Sequence, residues 1–219
     1  MKKLGYILFL LSWSACDVER LPEDALSDAS FWKSENDLKA AANYLYTFLP
    51  VHGGDQYDNW SDDGFAVLAN EISSGTRQIP ATSAHFSTPY QLIRAANNII
   101  KKSVTALESG VPAATVDIYV GEARFFRAWG HFQLVQKFGD APLILDILTE
   151  SSPELWAART PRAQVIDAIY EDLDFAAEKT PTHAARAVAN YGRITKTAAQ
   201  AFKARVALFE GTFSKYHGK

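Results

Sequence analysis

The chain has 219 residues, a net charge of −3 and a hydrophobic fraction of 47%. That is enough for one good core and two small subdomains. The mixed surface holds no Lys/Arg cluster denser than Lys101-Lys102, which excludes a nucleic-acid partner.

Lys2 and Lys3 precede an apolar run from Ile7 to Leu11, and small residues Ser14 and Ala15 follow. This is the charged, apolar and cleavage order of a secretory signal, and the run is too short to span a bilayer. Residues 1–15 therefore read as a signal peptide and 16–219 as the mature domain. Cys16 is the single cysteine, so no internal disulfide can form despite an exported context. At a cleavage site such a cysteine suits acylation, and two acyl chains give a stable anchor.

Further along, Ser34 and Asp37 are spaced as a capping box for a helix that runs to Leu49 and stops at Pro50. Residues 52–86 show no sustained periodicity and read as a long loop. A sugar site needs aromatic faces and planar polar groups together, and this loop supplies Tyr57, Asn59, Trp60, Asp62, Asp63, Asn70 and Arg77. Of these, Trp60, Asp62, Asp63, Asn70 and Arg77 are the candidate ligand-binding residues, the alternative for Trp60 being a buried anchor that holds the loop on the helices. Trp32, Trp129 and Trp156 read as scaffold.

Thr88-Pro89 predicts the start of a helix with Leu92, Ala96, Ile99, Ser103 and Leu107 inward, ending at Ser109-Gly110. The next helix, Thr115 to Phe138, carries two apolar rows, Phe125-Trp129-Phe132 and Tyr119-Ala123-Phe126, covering more than half its circumference. Gly130 is an unusual choice inside it. Gly139 ends it and Pro142 forbids continuation. Thr160-Pro161 opens another helix with Val165, Ile169, Leu173 and Ala176 inward, up to Thr180-Pro181. Thr195 begins the last, with Ala198, Phe202, Arg205, Phe209, Phe213 and Tyr216 along one side and several alanines for close approach. The elements pair as Pro89 to Glu108 with Thr115 to Phe138, and Pro161 to Lys179 with Lys196 to His217. The expected class is all-α, with tetratricopeptide-like helix pairs and long inserted loops. If nothing stacks on the last pair, apolar surface around Phe209 and Phe213 should be exposed.

Chemistry finds few footholds. The five histidines show no metal-ligand spacing, and no nucleophile elbow, dinucleotide fingerprint or phosphate loop occurs. Glu171, Asp172 and Asp174 read as a solvated helix face. The adjacent Asp62-Asp63 pair cannot give the separation a glycosidase needs, nor does it fit a calcium loop. No enzyme, metal or cofactor is expected, which leaves binding.

The wording GEARFFRAWGHFQLVQKFGDAPL, from Gly121 to Leu143, resembles the long scaffold helix and exit of the SusD/RagB family, departing from it mainly at His131. The opening is similar too, through Asp28, Phe31, Trp32, Asp37, Leu38, Ala41, Tyr46 and Leu49, as is the helix with Tyr90, Ile93, Asn97, Ile99 and Ile100. Trp13-Ser14-Ala15-Cys16 resembles a lipobox with Trp13 in the aliphatic position, and Asp17 and Glu19 suit surface-exported lipoproteins. The resemblance implies an outer-membrane lipoprotein, lipid-anchored at Cys16, that binds oligosaccharide and hands it to a SusC-like TonB-dependent transporter. Alternatives within it are a RagB-like peptide binder and a helical scaffold on the transporter with no ligand of its own. Family members use the loop after the first helix for part of their ligand site. They also continue past the Leu208 to Gly218 wording, so the chain is expected to be the N-terminal portion of such a protein.

Overall fold

The structure is a computed structural model and describes residues 30–50 and 70–218. The chain divides after Phe31, and the architecture below is that of the unit beginning at Trp32. The described residues form helices α1 (Glu35–Tyr46), α2 (Ala84–Glu108), α3 (Ala113–Phe138), α4 (Arg162–Lys179) and α5 (Lys196–His217), with short 3-10 turns at Pro153–Trp156 and Val188–Asn190. The fold is all-α, as expected, and among the described residues the one pairing of extended backbone joins Ala141 to Thr160. Cys16, Tyr57, Asn59, Trp60, Asp62 and Asp63 lie outside the described residues.

Helix α1 starts as its sequence dictates. The Asp37 amide donates to Ser34 Oγ at 3.3 Å while Asp37 Oδ2 accepts from the Ser34 amide at 2.9 Å. Before it, Trp32 is buried at a φ of 75°, so packing of the indole holds a backbone angle that local sterics disfavour. The helix ends at Tyr46 rather than Leu49. Thr47, Phe48 and Leu49 continue in a tighter winding, each amide donating to the carbonyl three residues back.

Helix α2 begins at Ala84, ahead of the expected Thr88-Pro89 start. Pro89 sits in its second turn, where it has no amide to donate to the His85 carbonyl. Aromatic packing offsets that loss: Phe86, in the added turn, meets Tyr90 at 5.0 Å and Phe138 at 5.3 Å between ring centres. The inward stripe is Leu92, Ala96, Ile99, Ser103 and Ala106; Leu107 falls off it and is 42% exposed.

Helix α3 packs against α1, α2 and α4. It buries Tyr119, Ala123, Phe125, Phe126 and Phe132, as the two aromatic rows require. Gly130 now has a reason, since a Cβ there would lie 2.8 Å from Ile93 Cγ1 and 3.1 Å from the Pro89 carbonyl oxygen. The glycine lets α2 pack closely against α3. Gly139 ends the helix at φ 71° and ψ −115°, outside the left-handed helical well but easy for glycine.

Val165, Ile169, Leu173 and Ala176 of α4 are all buried, as expected. Helix α5 is capped by Thr195, whose Oγ1 accepts from the Ala198 amide at 3.3 Å. Its buried line is Ala199, Phe202 and Val206, so the expected stripe was rotated; Arg205 and Tyr216 are exposed, as are Ala201, Ala204 and Ala207. Phe202 explains the rotation, because it reaches Phe125, Trp129 and Phe132 of α3 at 5.0 to 5.5 Å. Phe209 and Phe213 are half-buried rather than exposed, with the Arg162 guanidinium 3.7 Å above the Phe213 ring.

Two glycine substitutions separate packing from propensity. Gly130→Ala should destabilise the fold by about 1–3 kcal/mol through overpacking. Gly211→Ala, where nothing lies within 4 Å of the new methyl, should stabilise it by about 0.5–1 kcal/mol. Thermal melts followed by circular dichroism read both.

Candidate functional site

After Gly139 the chain leaves the helices and returns at Thr160. Ala141 and Thr160 exchange two backbone hydrogen bonds at 3.2 and 3.1 Å, which close the excursion into a loop. Its first limb, Ala141 to Leu148, forms a strap held by polar side chains from three helices. Arg127 Nε and Nη2 each donate to Asp172 at 2.7 Å, and Nη1 donates to Asn97 Oδ1 at 2.9 Å and to the Leu145 carbonyl at 3.0 Å. Asn97 Nδ2 in turn donates to the carbonyls of Ile144 at 3.2 Å and Asp146 at 3.0 Å. The expectation that Asp172 lies on a solvated face with Glu171 and Asp174 is wrong: Asp172 is 2% exposed and paired.

His131 completes the network. The Ile144 amide donates to Nε2 at 3.3 Å, so the proton is on Nδ1, which donates to the Arg127 carbonyl at 3.1 Å. Burial, reinforced by the Arg127 charge, pushes the imidazole down to about 3. The departure from the family wording at His131 is therefore a strap anchor. A second buried pair, Glu122 with Arg193, joins α3 to the segment before α5, with Arg193 Nε and Nη2 donating at 2.8 and 2.6 Å. Among the described residues, no group of three His, Cys, Asp or Glu is placed to hold a metal ion. No described helix is long and apolar enough to cross a membrane.

Between the strap and the first half of α2 lies a cleft of about 750 Å³. Phe86, Tyr90 and Arg94 of α2, one helical turn apart, form one wall; Pro142, Ile144, Ile147, Leu148 and Leu155 form the other. Tyr90 Oη donates to the Pro142 carbonyl at 2.9 Å and fixes the cleft's inner end. Trp156, expected in the scaffold, is 89% exposed at the end of its 3-10 turn. That turn buries none of its residues, so nothing draws the indole inward.

Two of the expected ligand residues are described. Asn70 caps a turn: its Oδ1 accepts from the Ile72 amide at 2.8 Å and its carbonyl from the Ser74 amide at 3.0 Å. Arg77 is exposed and its charge reaches His85, whose pKa is lowered by burial first and then by the charges of Lys137 and Arg77. Lys137 Nζ donates to His85 Nδ1 at 2.9 Å. Sequence reasoning missed the cleft, since its walls are 52 residues apart in sequence at the Tyr90 to Pro142 contact. It also missed the Arg127 network, although an arginine inside the apolar wording of α3 was a visible signal.

Removing one partner of the buried pair strands the other charge. Asp172→Ala should cost about 3–5 kcal/mol in urea unfolding and raise hydrogen exchange along the strap. The His131 effect has a definite sign. The unfolded imidazole titrates near 6.5 and the folded one near 3; between these the unfolded chain binds more protons, so this contribution is full above 6.5 and is lost as pH falls toward 3. His131→Gln should flatten the rise of stability between about pH 4 and 7, as read by urea melts at several pH values.

Comparison with known proteins agrees with this architecture. A SusD-like family profile described as "Starch-binding associating with outer membrane" matches residues 17–208. SusD-like protein P2 of Formosa agariphila is 29% identical over 97% of this chain and 44% of its own length. A SusD-like protein of Bacteroides ovatus is 26% identical over 62% of this chain and 27% of its own. The chain therefore spans less than half the length of these relatives. Among solved structures, a SusD-like protein from Bacteroides fragilis superposes with a TM-score of 0.73 at 27% identity, over 89% of this chain and 39% of that one. A laminarin-binding SusD-like protein shares the fold with a TM-score of 0.65 at 21% identity, over 82% and 41%. With the family match running through α1 to α4 and most of α5, this chain belongs to the SusD-like family.

Proposed function

We propose that this chain is the helical part of a cell-surface lipoprotein, anchored in the outer membrane through acylated Cys16, that binds oligosaccharide and passes it to a SusC-like TonB-dependent transporter. The role is capture, not catalysis. Trp60, Asp62, Asp63, Asn70 and Arg77 are assigned to the ligand, with Trp60 as the ring on which a sugar face packs and the others as partners for its hydroxyls. What supports the reading is an exposed guanidinium, Arg77, whose charge reaches His85 in the first turn of α2, in a chain whose family is described as starch-binding at the outer membrane. The Asn70 turn supports it by fixing the backbone that leads toward Arg77. A laminarin-binding SusD-like protein of the same fold supports a glycan ligand.

The test is affinity electrophoresis through gels containing starch or laminarin. Trp60→Ala and Arg77→Ala should each lose retention while their melting curves match the unaltered protein. Undiminished retention in both would remove these residues from the site. Cys16→Ser should release the protein from the membrane fraction of expressing cells.

A further inference from the structure

The α2–strap cleft sets an aromatic wall against an aliphatic one. Its strap wall is Pro142, Ile144, Ile147, Leu148 and Leu155, and the Tyr90 hydroxyl is already spent on the Pro142 carbonyl. The strap carbonyls of Ile144, Leu145 and Asp146 are likewise occupied by Asn97 and Arg127. Against the aliphatic strap wall itself a glycan's hydroxyls would lose water without gaining a partner, the other polar side chains of the lining being Arg94, Asp146, Thr149, Glu150 and Glu154. Branched and aromatic side chains, by contrast, gain from burial in such a cleft. The exposed Leu155 and Trp156 extend the apolar surface beyond its mouth.

Charge narrows the occupant. Asp146 is neutralised by Lys101 at 2.9 Å. Glu150 and Glu154, both exposed on the strap side, have no ion-pair partner among the described residues. Among the described residues, Arg94, on the α2 wall, is the one cation in the lining. The strap rim is therefore acidic over an apolar floor. The floor is also pre-set, because the Arg127 network fixes the strap before anything binds, which lowers the ordering cost of association.

We propose that this cleft is a protein-docking groove, distinct from the sugar site, that takes a partner's extended segment in which apolar side chains seat against Ile147, Leu148 and Leu155 and a flanking lysine or arginine reaches Glu150 and Glu154. Apolar anchors supply the affinity, and the acidic rim selects the partner and its direction.

The experiment uses two fluorescein-labelled synthetic peptides with one Leu-Phe-Ile-Leu core, flanked by lysines in one and by glutamates in the other. Fluorescence anisotropy with the purified chain should show the lysine-flanked peptide binding at least about tenfold more tightly, with the difference shrinking as salt is raised. Glu150→Lys combined with Glu154→Lys should invert that preference. Leu148→Asp should abolish binding of both peptides while retention on starch or laminarin gels is unchanged, which separates failure here from failure of the sugar reading. Equal affinity for the two peptides, no binding of either, or displacement of the peptide by laminarin oligosaccharides would each overturn the proposal. Because Glu150 and Glu154 are exposed and have no ion-pair partner among the described residues, the charge-swap variant should fold, as its helical circular dichroism will show, and it keeps the test decisive should Leu148→Asp unfold.

Discussion

A guanidinium buried between three helices governs the geometry of this protein. Arg127 sits near the middle of the most apolar helix, and its desolvation would be prohibitive without compensation. Two bonds to Asp172, one to Asn97 and one to the Leu145 carbonyl satisfy it. The fork geometry of the guanidinium matters, because a lysine at the same place could not meet a carboxylate side-on and still reach two more acceptors. Through those bonds α2, α3 and α4 share one polar centre, and the strap acquires a fixed path. Replacing such a centre by hydrocarbon could leave the helices packed, but it would leave the strap carbonyls of Ile144, Leu145 and Asp146 without donors.

The surrounding scaffold is organised to make that centre possible. Helix α3 is covered on several sides at once, by α1, α2 and α4 through backbone-close packing and by α5 through the Phe202 ring. Gly130 brings α2 close just where Ile93 and Pro89 face α3, one turn from Arg127. The neutral, Nδ1-protonated His131 then hands one bond back to α3 and accepts one from the strap. Capping at Ser34 and Thr195 is local and ordinary; the long-range polar bonds are what set how the connecting segment lies on the helices.

Two surfaces with different chemistry follow from this arrangement. Toward the N-terminal end of α2, Arg77, His85 and Lys137 gather polar and charged groups beside the Phe86 and Phe138 rings. Along the strap the surface turns aliphatic, and its carboxylates stand at the rim.

Local rules made much of the fold legible. The 3.6-residue spacing of Val165, Ile169, Leu173 and Ala176, the capping pairs, and the Gly139 exit depend on neighbours in sequence, so the sequence by itself determined the helices, their inner faces over most of their length, and membership of the family through the Gly121 to Leu143 wording. Where a distant side chain intervened, local reading failed. Phe86 packing on Phe138 drew α2 past Pro89, and Phe202 reaching α3 turned α5 by a fraction of a turn. Asp172 looked solvated beside Glu171 and Asp174 because nothing nearby in sequence announces Arg127, 45 residues away. The cleft was invisible for the same reason. Its walls come from opposite ends of a helical hairpin and its return strap, and only tertiary packing brings an aromatic face and an aliphatic one together across a space large enough to be filled.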